Sequence, residues 1–577
     1  MDIDHIRHSL AHLLAAAVLK EFPDAKLAIG PTIENGFYYD FELPRSLTPA
    51  DLKTFEKTMR KLIGGNLPFT GREVTAAEAK KLFAKQPFKL DLIKEFSEDG
   101  KKLTVYETGD IFMDLCRGGH VANTKEIPAD AFKLDKIAGA YWRGDEKNPM
   151  LQRIYGLAFA TKKELEDYEH MMEEAKKRDH KVLGPTLDLF VFSELVGPGL
   201  PLWTPRGTLM RNLLDDFVWE LRKARGYEQV DIPHITKKEL YEKSGHWEKY
   251  KDDLFKITTR EEKLYAMKPM NCPHHTQLYA RRPWSYRELP QRYASTTKVY
   301  RDEQSGELAG LFRVLAITQD DAHVFCRESQ FKAEIKAIWD IVNDFYGAFG
   351  FGLRVRLSLH DPAHPEKYLG GPERWKKAED TLRAIAKEQK TDSFDGVGEA
   401  NFYGPKLDFM AQDAIGRTHQ VATIQLDMNL PERFDLTCVN EKGEKECIVM
   451  LHAAIMGSIE RFLGVAIEHF AGWFPVWLAP VQATIVPVSD KFDGYGKKVL
   501  KELTAASIRA ELAEATDSLG KRIRAAELMK VPYILVVGEK EETAGAVAVR
   551  SRKGDEGTAA TADFVKKIKS EIEKRAL

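Results

Sequence analysis

The chain has 577 residues, room for three or four domains with buried cores. Its formal charge of -2 excludes a globally basic nucleic-acid binder, so any such contact must come from local patches. Five scattered cysteines (Cys116, Cys272, Cys326, Cys438, Cys447) exclude a disulfide framework and point to a reducing, cytoplasmic compartment. The start, Met1-Asp2-Ile3-Asp4-His5, lacks the basic and apolar regions of a signal peptide, and no apolar run is long enough to span a membrane.

Residues 1–160 mix helical and strand patterns. An apolar stripe (Ile6, Leu10, Leu13, Leu14, Val18) predicts a helix over 5–20, with His8 and His12 on one face at i and i+4. Asn35-Gly36 predicts a turn into a strand over 37–41. Asp114-Leu115-Cys116-Arg117-Gly118-Gly119-His120 adds a cysteine and a third histidine. Together these residues could position a hydrolytic water, or could form a tetrahedral zinc site. Gly139–Asp145 reads equally as a core aromatic pair beside a turn. Residues 161–182 form a charged linker helix with sparse apolar positions at Leu165, Tyr168, Met172 and Ala175.

A second unit spans 183–474. Helical stretches (207–225, 328–349, 453–470) mix with strand-like runs (293–301, 311–318, 403–411), which predicts an antiparallel sheet with helices packed on it. A third unit, 475–577, has a β-α-β rhythm around Ala483–Val488 and Ile534–Val537, as in a small α/β domain. The fold class is therefore α+β multidomain.

Cys272, His323 and His452 make a good zinc set, and three protein ligands leave a coordination position open. Cys272 lies in Met267-Lys268-Pro269-Met270-Asn271-Cys272-Pro273, and His323 follows Gln319-Asp320-Asp321. Arg301 follows a strand pattern, and Arg461 is expected in the second turn of a helix that begins near His452. Two such guanidinium forks can grip a triphosphate from opposite sides. Arg313 could add a third positive charge, and Glu303 could accept a hydrogen bond from adenine. A metallohydrolase reading fails, because no His-Glu-x-x-His is present.

Arg301–Glu303 resembles motif 2 of class II aminoacyl-tRNA synthetases, Gly457–Arg461 resembles motif 3, and Arg222–Pro233 resembles motif 1. Within that class the threonyl-tRNA synthetase family is the match. Its strings are similar to Met267–Pro273, Gln319–His323, Asn401-Phe402-Tyr403-Gly404-Pro405-Lys406 and Gln425-Leu426-Asp427. The resemblance implies that Cys272, His323 and His452 bind zinc, which engages the amino and hydroxyl groups of threonine. It places Gln319, Asp321, Tyr403, Lys406 and Gln420 around the amino acid, and Arg301, Glu303, Arg313, Gln425 and Arg461 around ATP and its Mg²⁺. Arg301, Arg461 and Lys406 would serve adenylation. Motif 1 implies a homodimer. His274 departs from the family pattern, where a glycine is expected, and reads as a bystander.

A hydroxyl-sensing site rejects valine by roughly 10⁴-fold or more, but serine loses only about 1–3 kcal/mol, so a second, hydrolytic site is needed. His8, His12, Asp114, Cys116 and His120 resemble the editing domain shared by threonyl- and alanyl-tRNA synthetases, which implies hydrolysis of seryl-tRNA without a metal. Gly139–Asp145 resembles a second segment of that domain. Residues 475–577 resemble the anticodon-binding domain of the subclass, with Glu541 and Arg550 at base-reading positions of threonine tRNA. Family members often carry a small extra domain ahead of the editing domain, whereas this sequence opens on the His8/His12 helix. Rival readings are a prolyl or seryl enzyme, which has no use for the zinc set, and a silent RNA-binding paralogue, which has no need of Arg301 and Arg461.

Overall fold

In the computed structural model residues 2–577 are described, and they form two compact units divided at Glu173/Glu174. In the first, the strands Gly36–Glu42, Met150–Ala158 and Phe132–Tyr141 pair antiparallel in that order. The Ile3–Glu21 and Pro49–Gly64 helices bury Leu10, Leu14, Phe55 and Met59 in a core shared with Phe37, Phe41 and Ile154 of the sheet. A smaller sheet joins Phe69–Val74, Leu103–Thr108 and Phe112–Leu115. Trp142 is buried against Phe88, 5.1 Å between rings, so it is core, whereas Tyr141 is exposed. The charged 161–181 stretch is helical over Lys162–Arg178, a helix that buries only Leu165, and a second short helix starts at His180, which is buried.

The second unit is built on an eight-stranded, largely antiparallel sheet. Its inner strands run in the order Gln291–Tyr300, Ala316–Cys326, Val449–Ala454, Thr418–Asp427, Lys406–Gln412, Gly352–Leu359. Side chains alternate across each strand. Ala322, Val324, Leu451, Ala453, Ile424, Leu426, Leu407 and Phe409 face one core, with the helices Pro205–Lys223, Phe331–Gly347 and Ile459–Phe470 packed into it. Each fully buried apolar side chain contributes about 1.5–3 kcal/mol, enough to pin the register. The alternate positions include Asp321, His323, His452, Gln425, Asp427, Lys406 and Asp408, so a row of polar groups is brought together on the opposite face. A five-stranded sheet follows in the order Ala510–Leu512, Ala483–Pro487, Tyr533–Val537, Ala546–Ser551, Gly554–Ala560. Its first pairs are parallel and its last antiparallel, with Asp493–Ala505 and Thr561–Glu573 packed on it.

Two expectations need correction. His452 belongs to the Val449–Ala454 strand, and the following helix begins at Ile459, where Ser458 caps it, so Arg461 lies in the first turn. The strand expected over 311–318 begins at Ala316; Leu311–Leu315 is a loop whose Leu311 is nevertheless buried.

Candidate active and editing sites

In the sheet, His323 stands opposite His452, and His452 opposite Gln425. His323 Nε2 and His452 Nδ1 are 3.1 Å apart. Cys272, at the start of the Cys272–Tyr279 helix, completes a buried set whose donor atoms lie within 4.8 Å of one another. The far side of each imidazole is held. His452 Nε2 lies 3.0 Å from Asp427 Oδ2, and His323 Nδ1 lies 2.8 Å from Nδ1 of His275. A carboxylate accepts only, so Nε2 of His452 carries the proton and Nδ1 presents a lone pair to the set. Burial, reinforced by His452, holds His323 neutral by pushing its pKa well below the usual histidine value. A cysteine and two imidazoles converging on one point fit zinc. His274 is buried outside this set, its ring 6.2 Å from Tyr241, and burial lowers its pKa to about 4.

A cavity of about 330 Å³ opens over His452. Gln319, Asp321, Tyr403, Lys406, Gln420, Gln425, Arg301 and Arg461 all line it, so these expected residues do converge. Gln319 Oε1 and Arg301 Nε are buried there with no hydrogen-bond partner among the described residues. An adjoining cavity of about 210 Å³ shares Arg301 and Arg461 and adds Glu303, Phe312 and Arg313. Arg461 Nε donates to Phe312 O at 3.2 Å. Burial lowers the Arg461 pKa, and the like charges of Arg301 and Arg313 lower it further. Three guanidiniums gathered around a cavity suit an anion. Here Glu303 and Arg313 are paired with each other, Arg313 Nη2 being 2.6 Å from Glu303 Oε2.

Sequence reasoning missed Asp408, Asp427, Asn271 and His275. Asp408 is buried and accepts from Ser358 Oγ, Gln420 Nε2 and Thr423 Oγ1 at 2.7–2.9 Å, and its Oδ2 is 2.9 Å from Lys406 Nζ. Burial pushes its pKa up, but the Lys406 charge and these hydrogen bonds outweigh burial and hold it below the usual range. Asn271 Nδ2 donates to Asp321 Oδ2 at 3.0 Å. Gly404 is needed because a Cβ there would lie 1.9 Å from Leu426 O.

In the first unit, His8 and His12 do share a helix face, ring centroids 5.3 Å apart. Cys116 Sγ lies 3.4 Å from His8 Nε2 and 3.2 Å from His120 Nε2. Positive φ at Gly118 (96°) and Gly119 (81°) turns the chain so that Cys116 and His120 meet. Asp114 is buried, accepts from Tyr39 OH at 2.6 Å and pairs with Lys89 Nζ at 2.5 Å. Tyr39 and Lys89 were not anticipated. His8, His12, Asp114, Cys116 and Lys89 line a cavity of about 420 Å³. Burial lowers the pKa of all three histidines and pushes Cys116 up to about 12, which makes a neutral, hydrogen-bonding wall.

Of the two residues expected at base-reading positions, Arg550 is exposed on the Ala546–Ser551 strand. Glu541 is engaged locally, its Oε2 accepting from Gly538 N at 3.0 Å to cap a short helix. No helix among the described residues is long and apolar enough to cross a membrane.

Three family models match: the tRNA synthetase class II core domain (G, H, P, S and T) over residues 255–470, the anticodon-binding domain over 482–571, and the threonyl and alanyl tRNA synthetase second additional domain over 103–155. A threonine–tRNA ligase of Gloeobacter violaceus is 48% identical over 585 residues, covering 99% of this chain and 93% of that protein. A threonine–tRNA ligase of Thermus thermophilus is 47% identical, covering 99% and 89%. Among solved structures, the RNA-binding domain of threonyl-tRNA synthetase from Cryptosporidium parvum is similar at a TM-score of 0.65 and 36% identity, covering 68% of this chain and 98% of that one. Giardia lamblia prolyl-tRNA synthetase with prolyl-adenylate shares the fold at a TM-score of 0.55 and 16% identity, over 70% of this chain and 82% of that one. With the class II core, the anticodon-binding domain and the second additional domain all present, the chain belongs to the threonine–tRNA ligase family.

Proposed function

We propose that this ligase activates L-threonine in the 183–474 segment, charges threonine tRNA read by residues 475–577, and hydrolyses seryl-tRNA in residues 1–160, with 161–182 as linker. The observation that carries the reading is the convergence of Cys272, His323 and His452 beneath a cavity lined by Arg301 and Arg461. Cys272, His323 and His452 hold zinc, which when bound supplies a Lewis-acidic position for the amino and hydroxyl groups of threonine. Asp321, Gln319, Tyr403 and Gln420 enclose the amino acid.

The threonine carboxylate attacks the α-phosphorus of ATP and pyrophosphate departs. The terminal ribose hydroxyl of the tRNA then attacks the adenylate carbonyl and AMP leaves. Arg301, Lys406 and Arg461 hold the phosphates in line and offset the charge that develops there, with Gln425 beside them. Mg²⁺ bound to ATP would supply further positive charge at the phosphates. Glu303 accepts from adenine once ATP draws Arg313 away from it. No protein nucleophile takes part.

In the editing cavity, His8, His12 and Cys116, with His120 behind Cys116 and Asp114 fixed by Lys89 and Tyr39, position a water against the seryl ester. Glu541 and Arg550 read the anticodon, Arg550 from an exposed strand position and Glu541 after release from its cap. The enzyme works in the cytoplasm as a homodimer. Leu195 is fully exposed, Phe192 and Val196 near it in the chain are exposed, and so are Val191 and Leu202, which pair across two short strands, apolar surface that suits a second copy.

The test is amino-acid-dependent ATP–pyrophosphate exchange before and after zinc removal. Strong exchange with threonine, some with serine, none with valine, and loss on chelation are the expected results. Exchange that survives complete zinc removal sinks the zinc assignment.

A further inference from the structure

Outside both sites a buried polar cluster joins His180, Glu468, Arg417 and the 310–313 loop. His180 opens the short His180–Thr186 helix, and its side chain is 2% exposed. Its Nε2 accepts a hydrogen bond from Leu311 N at 2.9 Å. With Nε2 accepting, Nδ1 carries the proton and donates to Glu468 Oε1 at 2.6 Å, and the His180 amide donates to the same oxygen at 3.1 Å. The cluster is not a metal site, although His180, Glu468 and Asp179 are close enough to suggest one. Both imidazole nitrogens are engaged by protein groups, and Glu468 Oε2 is already neutralised by Arg417 Nη2 at 2.5 Å.

Each element that His180 touches carries an ATP-site arginine. Glu468 lies in the last turn of the Ile459–Phe470 helix, whose first turn carries Arg461. Arg178 Nη1 adds a hydrogen bond to His469 O at 3.2 Å, so the same segment grips that helix end twice. Leu311 is two residues before Arg313. The His180 ring packs 4.3 Å from the Phe312 ring, and Phe312 O accepts from Arg461 Nε. Gly310, at φ 55°, lies so close that a Cβ would come within 2.3 Å of His180 Nε2.

We propose that His180 is a positioning residue for adenylation: one imidazole fixes the Leu311–Arg313 loop against the Arg461 helix, and so sets the spacing of the guanidiniums that receive ATP. It touches neither the threonine cavity nor the zinc set, and of the residues it positions only Arg461 also lines the threonine cavity, so its effect falls mainly on ATP.

The test is threonine-dependent ATP–pyrophosphate exchange with the full chain, normalised to titrated active sites. His180→Ala is expected to raise the ATP KM about tenfold or more, with the threonine KM within about twofold. His180→Gln, whose carbonyl can take the Leu311 amide, is expected to restore most of the ATP KM, and His180→Asn is not. An unchanged ATP KM in His180→Ala, with only a lower melting temperature or active fraction, overturns the proposal. Should His180→Ala fail to fold, the Gln and Asn variants decide: an ATP KM about tenfold lower in Gln supports positioning, and equal values overturn it.

Discussion

Asp427 Oδ2 lies 3.0 Å from Nε2 of His452, on the side of the ring away from His323 and Cys272. This contact selects the tautomer that leaves Nδ1 free to ligate. Asp427→Ala is expected to weaken zinc retention about 10- to 100-fold. Competition against a chromogenic chelator reads this without any activity assay. Zinc retention equal to that of the parent enzyme would remove Asp427 from this role.

Asp408 is a second hidden support. Its carboxylate neutralises Lys406 and also holds Gln420 and Thr423. Asp408→Ala leaves Lys406 without its counter-ion and strands several donors. The expected loss of stability is about 3 kcal/mol, together with a rise in threonine KM of about tenfold or more. Denaturant unfolding and exchange kinetics on one preparation measure both. A stability loss with threonine KM unchanged would make Asp408 structural only.

The three residues that converge could be picked out in the sequence, because Cys272 and His323 sit in short diagnostic strings and His452 lies just ahead of Gly457–Arg461. Their supports were not. His275 and Lys89 acquire meaning from partners far away in the chain, Asp408 from Ser358, Gln420 and Thr423 as well as nearby Lys406, and nothing in the Gln425-Leu426-Asp427 string marks the contact of Asp427 with His452. The strand expected over 311–318 was set five residues too early and stopped eight residues short of Cys326, since Leu311 is apolar for tertiary reasons while its backbone is a loop. The helix start near His452 failed similarly: the apolar run Val449–Ile455 fits a buried strand as well as a helix, and Ser458 is the true cap.

The editing histidines fix a pH dependence. Burial lowers the folded pKa of His8, His12 and His120, so below about pH 6.5 the unfolded chain takes up protons that the folded chain does not. Stability of the first unit is therefore complete above about pH 6.5 and falls as pH drops below it, by at most about 4 kcal/mol per pH unit for the three groups. Hydrogen exchange at residues 3–21 of the full chain should accelerate accordingly. Seryl-tRNA hydrolysis, corrected for the spontaneous reaction, should show no histidine inflection between pH 6 and 8. An inflection near pH 6.5 would mean that a protonated imidazole acts in the reaction.

Arg461 is held against its own interest. Solvent still reaches its side chain, yet desolvation at the cavity wall and the like charges of Arg301 and Arg313 lower its pKa, against a smaller opposing pull from Glu303, so the apo enzyme holds unfavourable charge at this point. Arg461→Gln should relieve that repulsion while removing a fork that ATP needs. The expected result is an apo melting temperature equal to or above that of the parent, a loss of exchange of about 100-fold or more, and little further stabilisation by added ATP. A structural arginine would behave oppositely: the apo melting temperature would fall, and the ATP-induced rise would persist. The two readouts together separate a residue kept for binding phosphate from one kept for holding the helix.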